Sequence, residues 1–187
     1  MTLATSMWCS TRWRAKALLV GGLLSAAQVI AHPLLPGSRL QGEATLRYFG
    51  FQVYHARLWT QPEFRASQSL QQPLVLELEY LRDLKGLAIA QRSLQEMQRA
   101  EPIPEAQAQR WLNDMARIFP DVKAGDRISG QHQPGQGARF WLNERPLGHI
   151  EDPAFARLFF GIWLAPSTSE PDMRLALLGQ SGGRTSP

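Results

Sequence analysis

From residue 38 onward the hydrophobic positions change period three times, and those changes divide the chain into elements. "RLQGEATLRYFG" and "FQVYHARLWT" both alternate and are rich in aromatics, which predicts two strands with a tight turn or bulge at Gly50. "QPEFRASQSLQQP" reads as a loop. "LVLELEYL", Leu74 to Leu81, is the cleanest strand: Leu74, Leu76, Leu78 and Tyr80 share one side, and Val75, Glu77, Glu79 and Leu81 the other. That pattern predicts one buried face and one partly wet face, as in an antiparallel sheet.

The period then shifts to helical spacing. Residues 84–99 carry Leu84, Leu87, Ala88, Leu94 and Met97, and residues 104–119 carry Trp111, Leu112, Met115 and Phe119, with Pro104 near the first turn and Pro120 as the stop. "DRISGQHQ", "ARFWLN" and "RPLGHIE" read as short strands joined by Gly, Pro and Asn turns. Asp152 is placed to cap a helix that starts at Pro153 and carries "AFARLFFGIWLA"; "SEPDMRLALLG" supplies a short last helix. Strands, helices, strands, helices is an α+β order and not an alternating βαβ one.

Residues 1–31 stand apart from this pattern. Arg12, Arg14 and Lys16 precede the apolar run Ala17–Ala31, and Val29 and Ala31 put small residues ahead of His32-Pro33. The run is shorter than the roughly 20 residues of a spanning helix, so the layout predicts a cleaved secretory signal, an export to the periplasm and no stable membrane insertion afterwards. Met7 offers a second start. The expected division is a signal peptide over 1–31, one domain over 32–179 and a disordered tail over 180–187.

Cleavage changes the charge picture. Of the 20 basic residues, three leave with the segment and none of the 16 acids does, so the remaining chain has a net charge of +1. A high isoelectric point therefore does not imply nucleic-acid binding, because no basic stripe remains. Cys9, the single cysteine, leaves too, so the mature domain would have neither disulfide nor thiolate chemistry. His32, His55, His132 and His149 are scattered without ligand spacing, which argues against a metal site, and no glycine-rich stretch fits a nucleotide cofactor. "GQSGG" lacks the strand context of a serine nucleophile.

Three sets of polar residues remain. Glu77 and Glu79 share one strand face, where a solvated pair is the simpler reading. Glu96 can pair with Arg92 or Arg99 at helical spacing, or line a site. Arg47 and Tyr54 sit in "LRYFGFQVYHARLW", where six aromatic or histidine residues fall within fourteen positions. A guanidinium among apolar neighbours calls for an anion, and its planar fork fits a carboxylate. A turn or bulge at Gly50 could bring Arg47 and Tyr54 onto one face. An internal salt bridge to Glu43 or Glu77 would satisfy Arg47 equally well. Phe51 and Trp59 read as core.

"GEATLRYFGFQVYHARLW", "LELEYLRDLKGLAIAQRSLQEM", "WLNDMARIFPDVKAGDRISG" and "FWLNERPLGHIEDPAFARLFFGIWLAPSTSEPDMRLALLG" occur in that order over nearly all of residues 38–179. In this order they resemble the chalcone isomerase-like family, specifically its bacterial exported members. The resemblance implies an open-faced β-sandwich: a large antiparallel sheet with a helical layer on one face and a ligand cleft between them. It also implies that Arg47 is the family arginine and Tyr54 the tyrosine that, in fatty-acid-binding relatives, clamps a carboxylate with it. The helix tyrosine of the plant isomerases falls near Ile89, counted from Gly86, and isoleucine can neither donate a hydrogen bond nor hold a water. The expected function is a non-catalytic binder of a small apolar or fatty-acid-like carboxylate, with no cofactor. The alternatives are an intramolecular lyase of the chalcone isomerase type with a modified site, and a periplasmic structural or assembly factor.

Overall fold

The computed structural model describes residues 31–180. The readings of 1–31 as a signal and of 180–187 as a tail lie, but for Ala31 and Gln180, outside the described residues. Six strands form one antiparallel sheet in chain order: β1 (Arg39–Tyr48), β2 (Phe51–Thr60), β3 (Leu74–Tyr80), β4 (Arg127–Gln133), β5 (Gly137–Leu142) and β6 (Arg145–Ile150). The helices are α1 (Gly86–Ala100), α2 (Glu105–Ile118), α3 (Pro153–Leu164) and α4 (Pro171–Leu177). This is the expected α+β arrangement of a large antiparallel sheet with helices on one face. The connection expected to be a plain loop contains a short 3-10 helix, Ala66–Gln71.

Register follows from the alternation seen in the sequence. Ala56 lies opposite Leu78, Leu58 opposite Leu76, and Ile128 opposite Leu78 on the other side. Cross-strand partners share a face, so these residues form one continuous apolar surface. Helix α3 covers it with Phe155, Leu158, Phe159, Phe160, Trp163 and Leu164, all buried. The Asp152 carboxylate accepts from the Ala154 and Phe155 N–H groups, as expected for an N-cap, and also accepts from Trp111 Nε1 at 2.9 Å, which ties α2 to the start of α3. Gly86 starts α1 where a Cβ would collide with the Phe119 carbonyl oxygen at the end of α2, so glycine sets how closely the two helix ends approach.

The opposite face of the sheet is only partly open. Val75 and Glu77 are buried, although the alternation predicts a partly wet face for them. The reason is the segment before β1. His32 packs its ring 5.6 Å from that of Trp59, Leu35 is buried, and the Leu34 carbonyl accepts from Gln131 Nε2. The segment therefore lies across β2, β3 and β4 as a strap. Below it, Arg57 reaches Glu79 at 2.9 Å, Glu77 at 3.1 Å and Glu43 at 3.7 Å. Glu77 and Glu79 are thus one ion-pair cluster with Arg57 and not an acid/base couple.

Candidate functional site

Between the sheet and the helices, near the β1–β2 hairpin, lies a cavity of about 370 Å³. The sheet contributes Leu46, Tyr48, Val53, Tyr54, Leu78 and Tyr80. Helix α1 contributes Ala88, Ile89, Arg92, Ser93 and Glu96, a stripe at helical spacing, and α3 closes the top with Phe159, Ile162 and Trp163. Most of this wall is apolar.

How the hairpin is wound decides which polar groups reach it. Tyr48 pairs with Phe51 across a two-residue turn in which Phe49 (φ 47°) and Gly50 (φ 81°) are both left-handed, the geometry of a type I′ turn. Such a conformation costs a residue with a Cβ roughly 1–2 kcal/mol, whereas Gly50 adopts it freely. A register shift follows: Leu46 pairs with Tyr54 but Arg47 with Gln52, leaving Val53 as the extra residue on β2. Both Val53 and Tyr54 consequently line the cavity.

The same register separates the two expected clamp residues. Tyr54 shares a face with Leu46, and Leu46 and Tyr48 line the cavity on either side of Arg47 in the strand. Arg47 must then point to the other face; it is exposed and is not a cavity-lining residue. The turn at Gly50 does not bring the pair together. The acids considered as its internal partners, Glu43 and Glu77, are both engaged by Arg57. Phe51, expected in the core, is 66% exposed, with the Arg82 guanidinium 5.7 Å from its ring centre. Trp59 is half-buried under the strap, outside the helix-side core.

The polar groups that do reach the cavity come from elsewhere. Trp163 Nε1 donates to the Tyr54 hydroxyl at 2.9 Å, so that oxygen is oriented while its own proton has no acceptor among the described residues. The Tyr80 hydroxyl likewise has no hydrogen-bond partner among them, although the residue is 2% exposed and lines the cavity. The two rings meet edge to face, 6.1 Å between centres. Burial pushes the Tyr54 hydroxyl well above its ordinary value of 10; the Trp163 hydrogen bond opposes this, and Glu170 and Glu96 add to it. Tyr80 is pushed up by burial, with Tyr54 beside it. Both remain protonated, hence donors, throughout the neutral range.

Glu96, which could pair or line a site, does both. It forms an ion pair with Arg92 at 2.6 Å and accepts hydrogen bonds from Arg99 Nε at 3.0 Å and from Ser169 Oγ at 2.9 Å. Burial raises its carboxyl, but the Arg99 and Ser169 hydrogen bonds and the two arginine charges outweigh that and hold it below the ordinary 4.5. Glu170 also lines this end, so Glu96 and Glu170 balance Arg92 and Arg99 in charge, and Arg92 retains further donors for a ligand.

Sequence reasoning missed Tyr80 and Arg92 as site residues. Tyr80 carried a signal, since it is the one polar atom on the inward-facing phase of β3. Arg92 falls on the same helical stripe as Ile89, Ser93 and Glu96. Ile89, near which the resemblance places the helix tyrosine of the plant isomerases, lines the cavity with an apolar side chain. Among the described residues, no three His, Cys, Asp or Glu side chains gather as a metal site would require.

Comparison with known proteins agrees with this architecture. An uncharacterized protein of Haemophilus influenzae is 30% identical over 140 residues, covering 75% of this chain and 67% of that protein. The crystal structure of a fatty-acid binding protein of Arabidopsis thaliana superposes with a TM-score of 0.62 at 11% identity, over 81% of this chain and 96% of that one. Residues 36–179 match the chalcone isomerase-like family, and the chain belongs to it.

Proposed function

We propose that the protein is a non-catalytic binder of a small apolar molecule with an acidic head group, a fatty-acid-like carboxylate, held in the cavity between the sheet and α1. One observation carries this reading: in a largely apolar cavity, the Tyr54 and Tyr80 hydroxyl protons find no acceptor among the described residues. An ionised carboxylate is acceptor-only and takes two or more donors, which these hydroxyls and the Arg92 guanidinium supply. The cavity volume lies within the roughly 300–1,000 Å³ typical of small-molecule sites. The fold is that of a known fatty-acid binding protein, and Ile89, near which the resemblance places the helix tyrosine of the plant isomerases, puts an apolar side chain on the cavity wall.

Export to the periplasm belongs to the same proposal and rests on the Ala17–Ala31 run and the Val29-x-Ala31 site. Cleavage there preserves His32, whose ring packs on Trp59 and lies 3.6 Å from Glu77. N-terminal sequencing of the protein purified from its host should begin at His32; finding Cys9 still attached sinks the export reading.

Binding is tested by native mass spectrometry and by titration with dodecanoate and its methyl ester. Dodecanoate should bind and the ester bind at least about tenfold more weakly, since hydrogen bonds to a charged acceptor are worth about 1.5–3 kcal/mol. Equal affinity for both would remove the head-group assignment. Cyclisation of a hydroxychalcone above the buffer rate would replace binding with isomerase chemistry.

A further inference from the structure

The β1–β2 hairpin tip exposes more apolar surface than its fold requires. Tyr48, Phe49 and Phe51 are 57%, 84% and 66% exposed. Tyr48 is at once exposed and a wall of the cavity, and so is Arg82, which places the tip on the cavity's rim. Phe49 also occupies a left-handed position of the type I′ turn, where a bulky side chain is strained. The molecule contains its own control. The β5–β6 turn has the same geometry, with Asn143 at φ 47° in the equivalent position, and asparagine tolerates that conformation. A strained, solvent-exposed phenylalanine therefore serves something other than the turn.

The charges nearby narrow the occupant. From Leu46 to Val53 the chain has no acid, Arg47 is exposed on one side of the tip, and Arg82 lies over Phe51 on the other. Asp83, next to Arg82, accepts from the Ala124 N–H. Glu170, the acid on the cavity rim, comes from the α3–α4 connection and not from the hairpin. Three aromatic side chains on a protruding turn are far less than the roughly 800 Å² per partner of a stable protein interface. They match the headgroup level of a bilayer, where aromatic rings partition and arginines meet anionic lipid.

We propose that the hairpin tip docks on an anionic membrane surface, so that the cavity mouth faces the bilayer and a lipid-like ligand can pass between the two. This rests on the binding function above, but docking is read out separately. Full-length mature protein would be sedimented with vesicles of phosphatidylcholine and phosphatidylglycerol, and with phosphatidylcholine alone, at low and high salt. The wild type should bind the anionic vesicles, and high salt or neutral lipid should weaken this. Phe49→Asn should lower binding by about tenfold or more through lost apolar insertion. It should also keep or raise the melting temperature, because it relieves the strained turn. Arg47→Ala should cost about fivefold, the equivalent of ~1 kcal/mol per arginine near such a surface. Both variants should bind dodecanoate as the wild type does in vesicle-free buffer. Failure of the wild type to bind vesicles, or wild-type binding by Phe49→Asn, overturns the proposal. So does self-association that Phe49→Asn abolishes in the absence of vesicle binding. Docking without dodecanoate affinity would leave the tip assignment standing and remove the cavity reading instead.

Discussion

The two faces of the sheet both carry polar groups against buried surface, and they treat them in opposite ways. On the strapped face, Arg57 answers Glu43, Glu77 and Glu79, and Thr45 meets His55 at 2.6 Å. The three acids there share Arg57 as their counter-charge, although Trp59 Nε1 on the same face is buried without a partner among the described residues. On the helix side, Tyr54 has an acceptor role but no acceptor of its own, and Tyr80 has neither partner. The Tyr80 hydroxyl is not sealed in the core but opens on the cavity, where a group that enters can meet it. Acids closed on an arginine maintain structure; hydroxyls that open on a cavity keep hydrogen-bonding capacity for a group that enters it. Function is therefore assigned to the face with fewer charges.

The comparison breaks most visibly at Arg57. Replacing it with alanine leaves Glu77 and Glu79 side by side on one strand with no cation between them. Removing one partner of a fully buried pair costs 3–5 kcal/mol; with 28% of the Arg57 side chain exposed, a loss of about 2–3 kcal/mol is expected. Denaturant melts should show that loss while dodecanoate affinity stays within about twofold, since no atom of the cavity has changed. A parallel loss of affinity would mean that the two faces are not independent.

Removing single hydroxyls on the other side should invert this outcome. Tyr80→Phe deletes a group with no partner in the unliganded protein, so stability should hold or rise slightly while dodecanoate affinity falls by about 1–2 kcal/mol. Tyr54→Phe should lower affinity similarly but also cost about 1 kcal/mol of stability, because Trp163 Nε1 loses its acceptor. Calorimetric titration beside thermal melts distinguishes the two. If Tyr80→Phe leaves affinity intact, the head group does not sit between the tyrosines.

The sheet and helices were legible because their signals are local. Alternation in Leu74–Tyr80, the 3–4 spacing from Ala88 to Glu96, and Asp152 before Pro153 each act within one turn or one strand. Tyr54, singled out through the family's motif, lines the cavity, whereas Arg47 lies one residue out of the cavity phase of β1. Whether a strand carries an extra residue at Val53 depends on how β2 pairs with both β1 and β3, and no periodicity in β2 alone reveals that. The partial burial of the far face was equally invisible, since it depends on the His32–Ser38 strap folding back across strands that follow it in sequence.

Acid should weaken the strapped face in a defined direction. The imidazole of His32, 3.6 Å from Glu77, does most to lower the Glu77 carboxyl below its ordinary 4.5, and Arg57 adds to this against the opposing effect of burial. A carboxyl depressed in the folded state contributes stability that is present above the unfolded value. It is lost as pH falls from about 4.5 through the folded value, where the unfolded chain binds the proton first. Stability should thus hold from neutrality to about pH 5 and decline below it. Glu77→Gln should be less stable near pH 7 yet decline less steeply in acid. Equal acid slopes in the two proteins would show that Glu77 does not carry this dependence.

The smallest expected effect is the one most opposed to the motif. The family resemblance implies that Arg47 meets the carboxylate, and removing a charged partner from a buried pair would cost about 2–5 kcal/mol of affinity. Its position argues otherwise. Leu46 and Tyr48 occupy the cavity phase of β1, Arg47 falls between them, and its cross-strand partner is Gln52 rather than Tyr54. An exposed arginine with no ion pair among the described residues typically changes stability by less than about 0.5 kcal/mol when it is truncated. Arg47→Ala should therefore leave both the melting temperature and the affinity for dodecanoate in vesicle-free buffer close to wild type. Arg92→Ala, which removes a cation from the cavity wall, should weaken binding under the same conditions. A fall in affinity with Arg47→Ala but not with Arg92→Ala would restore the clamp, and would require β1 to shift its register by one residue when the ligand enters.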